Sequence, residues 1–160
     1  MAPENSSRPL TAAEIALAAT MFGEAIDYAK VRIHRRRWFP LQTRLVTMAP
    51  DGHLWFPPDS PHWCPDFTCA SLALQGLFLH EMTHVYHVTR GGRWWLILMR
   101  HPFCRYAYRI TPGKPFHRYG IEQQAEIVRH AFLLRNGVTL PGKPSLDVYE
   151  ALLPFRRGGP

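Results

Sequence analysis

No apolar run in this sequence is long enough to cross a bilayer. Runs such as "WWLILM" at 94–99 fall far short of the roughly 20 residues a membrane helix needs. Cysteine is scarce. Cys64, Cys69 and Cys104 make an odd count of three, which argues against a disulfide framework and fits a reducing cytosol. The opening "MAPENSSRPL" lacks a basic region followed by an apolar core, so no secretory leader is legible, and export would need a route that ignores such leaders. Internal repeats and low-complexity tracts are absent. What is present is 160 residues, 46% hydrophobic and 19% charged, enough for one domain with a real core.

Acidic residues are missing from one half in particular. Residues 1–69 carry seven Lys/Arg and seven Asp/Glu, whereas 70–160 carry twelve against five. The net charge of +7 therefore sits entirely in the second half. A basic field favours acidic partners such as nucleic acid, anionic cell-wall polymer or an acidic protein surface. The charges are scattered among aromatics and prolines, so an ordinary solvated surface explains them too. No recognition-helix or aromatic-platform signature supports nucleic-acid binding.

The pattern along the chain predicts an α+β fold. Residues 1–10 read as a flexible lead, followed by one domain over 11–153 and a frayed tail at 154–160. Thr11 with Glu14 fits a capping box opening the helix "AAEIALAATMF", which Gly23 ends. "VRIHRR" at 31–36 alternates like a strand. The Pro50-Asp51-Gly52 turn predicts a hairpin of 45–49 with 53–56, hence a short antiparallel sheet. A long helix is expected from Ala70 to Thr89, stopping at Gly91-Gly92. "RWWLILMRH" leans towards helix and "YAYRI" at 106–110 towards strand. "GIEQQAEIVRHAFLLRNG" at 120–137 is a second long helix, and Ser145 to Leu153 a short one.

The densest polar cluster lies where the pattern calls for a buried helix. "LFLHEMTHVYH" at 77–87 contains His80-Glu81-Met82-Thr83-His84, an H-E-x-x-H pattern. Residues four apart share a helix face, so two imidazoles can converge on one metal ion. Glu81 is offset from His80 by about 100° around the helix, which lets it act as a base on water without ligating. Zinc suits imidazole and carboxylate ligands and keeps a position open in catalytic sites. The alternative is that His80 and His84 are ordinary surface or core histidines. Buried without a metal, however, each would need another partner.

A third ligand is expected from a different element. "EQQAE" places Glu122 and Glu126 four apart on one face of the second long helix. They are the only acids between Asp66 and Asp147 apart from Glu81. One carboxylate could complete a His-His-Glu set while the other fixes the tautomer of a ligand histidine. His87 shares the histidine face but lies about 10 Å along the axis from His80. A role behind the ligands or on the substrate side suits it better than ligation. His34, His53, His62, His101, His117 and His130 show no ligand spacing. Cys64 and Cys69 lack the second pair a structural zinc site requires.

Three stretches together resemble a known family: "RPLTAAEIALAATMFGEAIDYAKVRIHRR", "VTMAPDGHLWF" and "LQGLFLHEMTHVYH". They are similar to the metallopeptidase-like domain of bacterial contractile-injection loci, and to the small Vgr-related proteins of type VI secretion systems. The resemblance covers about residues 8–137. The broader group looks like the gluzincins, which implies a small zincin-like fold. It implies His80 and His84 as ligands, Glu81 as general base, Glu122 as the glutamate ligand and Glu126 as the acid behind a ligand histidine. At position 87 the group more often has glutamine.

Two functions follow from this resemblance and the motif. The first is a zinc-dependent hydrolase, a peptidase by preference, acting on a peptide or protein substrate, with cell-wall peptide among the candidates. Tyr119, His117 and Arg118 precede Glu122 as candidate donors to a developing oxyanion, Tyr119 being preferred. The strand "HLWF" would be the edge on which an extended substrate pairs. The second is a zinc-stabilised, non-catalytic adaptor that docks a secretion-spike protein or its cargo. Either would reside in the bacterial cytoplasm or leave through a signal-less secretion apparatus.

Overall fold

The computed structural model describes residues 5–99 and 105–155. Among these, four helices and a three-stranded sheet form an α+β fold. The strands are β1 (Ser7–Pro9), β2 (Arg32–His34) and β3 (Leu54–Trp55). The helices are α1 (Ala12–Phe22), α2 (Leu72–Met99), α3 (Ile121–Arg135) and α4 (Leu146–Leu152). None of the described helices is long and apolar enough to cross a membrane.

α1 begins as its sequence dictates. The Thr11 hydroxyl accepts the Glu14 N–H at 3.0 Å, and Glu14 accepts the Thr11 N–H at 2.9 Å. Glu14 then does more than cap. Fully buried, it takes two 2.8 Å bonds from the Arg8 guanidinium and the Phe67 N–H at 3.1 Å. One carboxylate thereby joins β1, α1 and the turn before α2, satisfying donors that burial would otherwise leave unpaired.

The sheet corrects two expectations. It is mixed, not antiparallel: β1 pairs with β2 antiparallel, whereas β2 pairs with β3 in parallel, Ile33 opposite Leu54 and His34 opposite Trp55. The expected hairpin survives only as an antiparallel bridge between Met48 and Trp55. Residues 35–53 wrap round in a wide loop, so β3 arrives in the same direction as β2. Buried Gln42 organises that loop, donating to the Val46 carbonyl at 2.7 Å and accepting the Trp38 N–H at 2.7 Å. β3 is the terminal strand of the sheet, and Trp55 exchanges both backbone bonds with Met48 on its outer side, so the edge of "HLWF" is already occupied at Trp55.

Ser7–Pro9, placed in the flexible lead by sequence, is ordered as β1 because its partner strand and Glu14 hold it. Likewise Phe155, assigned to the frayed tail, packs edge-on against Phe22 and Tyr86 at 5.0 and 4.9 Å. Residues 1–4 of the lead and 156–160 of the tail lie outside the described residues. "YAYRI" is irregular and pairs with no strand among the described residues; Ala107 and Tyr108 bond to α3 side chains instead.

α2 is the central element, packed against α1, β3 and α3. A row of stacked rings, Phe56 on Phe67 on Phe78, joins β3's end to it. The predicted stop at Gly91-Gly92 is a break, not an end. Gly92 adopts φ 76°, open to glycine at little cost, and helical backbone resumes through Met99. Residues 93–99 of "RWWLILMRH" are thus helical, and its last two lie outside the described residues. α2 and α3 approach closely at Gly76, where an added Cβ would meet Arg129 Cγ at 3.2 Å. That close approach brings the polar faces of the two helices together.

Candidate metal centre

The helical spacing of α2 turns His80 and His84 towards α3, and Glu122 from the first turn of α3 meets them. Both Nε2 atoms lie 3.1 Å from the same Glu122 oxygen, Oε2. The three donor atoms fall within 4.8 Å of one another, and all three side chains are buried. Glu126, one turn further along α3, contacts His80 Nδ1 at 2.8 Å. With the His80 proton held there, its Nε2 presents a lone pair to the centre. Two imidazole nitrogens and a carboxylate oxygen are donor types that divalent metal ions accept. Glu122 lies with the two histidines, and Glu126 stands behind His80.

The electrostatics follow from this crowding. Burial pushes the His80 pKa down, but the hydrogen bonds to Glu122 and Glu126 outweigh it and raise it to about 9. Burial pushes Glu122 up, yet the two histidines hold it well below the usual carboxylate range. Glu126 is likewise lowered, because contact with His80 and then Arg129 overcomes burial. The cluster is therefore built around positive charge.

No family model matches the chain. Its structure superimposes on the effector domain of Pseudomonas aeruginosa VgrG2b with a TM-score of 0.74 at 36% identity, covering 95% of this chain and 87% of that one. The chain belongs to the VgrG2b effector-domain family. It is also 40% identical over 137 residues to the type VI secretion system spike protein VgrG2b of the same organism, covering 82% of this chain. It spans only 13% of that spike protein's length. The match agrees with the Vgr-related resemblance seen in the sequence.

The other expected residues of this VgrG2b-type domain are placed unevenly. Glu81 is buried and lines a cavity of about 320 Å³ together with His80, Glu126, Thr47, Tyr106 and Arg129. His87 is not in the donor group. Its Nε2 meets Gln124 Oε1 at 2.9 Å, and burial, with His84 nearby, lowers its pKa to about 4. Tyr119 is not brought to the trio. Its ring belongs to the core and its hydroxyl accepts the Thr111 N–H at 3.0 Å.

Two residues of the site were not singled out from the sequence. Gln124 bridges His87 and the Tyr119 carbonyl, to which it donates at 2.7 Å. Its position two residues after Glu122 puts it off the carboxylate face, so helical spacing gave no signal. Tyr106 lays its ring over that of His80, 6.0 Å between centroids and 18° between planes. It is half exposed on the cavity wall, where an aromatic in an irregular segment carries no sequence pattern.

Proposed function

We propose that the chain is a zinc-dependent hydrolase, a peptidase in the first instance, with a zincin-like fold and a place in type VI secretion. The observation that carries this is the joining of a His-His-Glu donor set to a cavity that Glu81 lines. His80, His84 and Glu122 would hold the ion, and Glu126 would keep His80 in the ligating tautomer. Bound there, zinc would supply a Lewis acid that polarises a carbonyl and brings the pKa of water towards neutrality.

The chain's own residues do the rest. Glu81 takes the proton of the attacking water and returns it to the leaving amine. Near-complete burial of Glu81 strengthens its interaction with developing charge. Tyr106 and Thr47, on the same cavity wall, are better placed than Tyr119 to meet a substrate.

The type VI context rests on the named relatives, one of them a spike protein. A spike protein is the partner this reading favours.

Metal analysis tests the site. The purified chain should carry about one zinc, as a single three-ligand site implies. The His80→Ala/His84→Ala double variant should carry none. A double variant as zinc-loaded as the parent would place the metal elsewhere.

A further inference from the structure

A line of polar side chains runs from the candidate ligand His80 to Tyr149, the buried residue of α4. Glu126 touches His80 Nδ1 with Oε1 at 2.8 Å and faces His130 Nε2 with Oε2 at 3.5 Å. His130 Nδ1 is hydrogen-bonded to the Tyr108 hydroxyl, and that hydroxyl lies 2.7 Å from the Tyr149 hydroxyl. Tyr149 belongs to α4 and is fully buried. Tyr108 belongs to the irregular segment 105–111.

One arrangement of protons satisfies every member. Tyr149 donates to Tyr108, Tyr108 donates to His130 Nδ1, and His130 Nε2–H points to Glu126. His80 Nδ1–H donates to the other Glu126 oxygen, which leaves His80 Nε2 free to ligate. The reverse direction fails at Glu126, because an ionised carboxylate accepts only. Burying two phenol hydroxyls costs more than burying two phenylalanines unless the bonds they make are used. Among the described residues, these hydroxyls hydrogen-bond to each other and to His130.

The segment 105–111 is also tied down along its length. Gln123 Nε2 donates to the Ala107 carbonyl at 2.7 Å, and the Thr111 N–H donates to Tyr119. Two residues apart, Tyr106 covers the His80 ring while Tyr108 holds His130. The segment therefore touches both ends of the His80–Glu126–His130 line.

We propose that Tyr108 and His130 are positioning residues for the metal centre. They fix Glu126, and through it His80, so that metal binding and the docking of segment 105–111 and α4 stabilise one another. This rests on the metal-site reading above. By linkage, whatever docking adds to metal affinity, metal binding adds to docking.

Zinc affinity is the readout, measured by competition with a chelating dye on the full chain. Substituting partners behind a ligand typically costs about 10–100-fold in affinity. Tyr108→Phe and His130→Gln should each weaken zinc about tenfold, towards the low end of that range. In a Glu126→Ala background, Tyr108→Phe should cost nothing further, since its effect passes through Glu126. Hydrogen exchange of the unaltered chain gives a second readout that needs no variant. Zinc should slow exchange in 105–111 and 146–152 as well as around the ligands.

Parent-like zinc affinity in Tyr108→Phe, or an unchanged loss in the Glu126→Ala background, would overturn the proposal. So would exchange protection confined to α2 and α3. A melting temperature lowered without loss of zinc affinity would mark a merely structural role. A parent that binds no zinc would overturn the metal-site reading itself, a result distinct from the others.

Discussion

Glu122 and Glu126 stand one helical turn apart on α3, yet they do different work. Glu122 shares one oxygen with both histidines, whereas Glu126 reaches only the rear nitrogen of His80. Losing a ligand removes tight binding; losing the group behind it costs about 10–100-fold. Zinc titration of Glu122→Ala and Glu126→Ala should rank them in that order, and the opposite ranking would reverse their roles. His87 makes a prediction about acid. Its pKa is held at about 4 in the folded chain against about 6.5 when unfolded. Between those values the unfolded chain binds the extra proton, so stability is complete above pH 6.5 and falls as pH drops towards 4. The span corresponds to about 3 kcal/mol by linkage. Denaturant unfolding of His87→Gln should show a correspondingly flatter acid limb than the parent. Equal slopes for the two proteins would contradict a buried neutral His87.

Elements whose signals are local were legible in the sequence, and those made by distant partners were not. The α1 cap, α3 and the H-E-x-x-H face depend on residues three or four apart, and each formed as read. β1 has three residues and no pattern of its own; it exists because Arg8 meets Glu14 and Ile33 lies opposite. The parallel pairing of β2 with β3 depends on how 35–53 returns, which alternation within either strand does not encode. Segment 106–110 alternates like a strand, but its hydrogen bonds go to side chains at Gln123, His130 and Tyr149. For the same reason Tyr106 and Gln124 were missed while both carboxylates were found. Glu14 tests this view of the fold. Glu14→Ala would leave the Thr11 and Phe67 N–H groups without their acceptor and strip the partly exposed Arg8 guanidinium of its carboxylate, a loss worth about 1–3 kcal/mol. Chemical denaturation should show it, with β1 exchanging its amide protons first. A loss below about 1 kcal/mol would mean that β1 is held by other contacts.

At the scale of the whole molecule, the two long helices bring a donor set, a general-base candidate and a cavity to one place. Four of the five large apolar side chains described as exposed, Phe39, Leu41, Leu45 and Val46, lie in the loop on one side of it. The fifth, Tyr106, lies over His80. A zinc-stabilised adaptor would need the metal but not a base beside the cavity, so Glu81 separates the two functions. Glu81→Gln keeps the side chain's shape and removes its basic oxygen. Zinc content and melting temperature should stay at parental values, while turnover of a broad peptide library should fall by about 10²–10⁴-fold. Equal turnover by the parent and Glu81→Gln would contradict the hydrolase account and leave the adaptor as the better one.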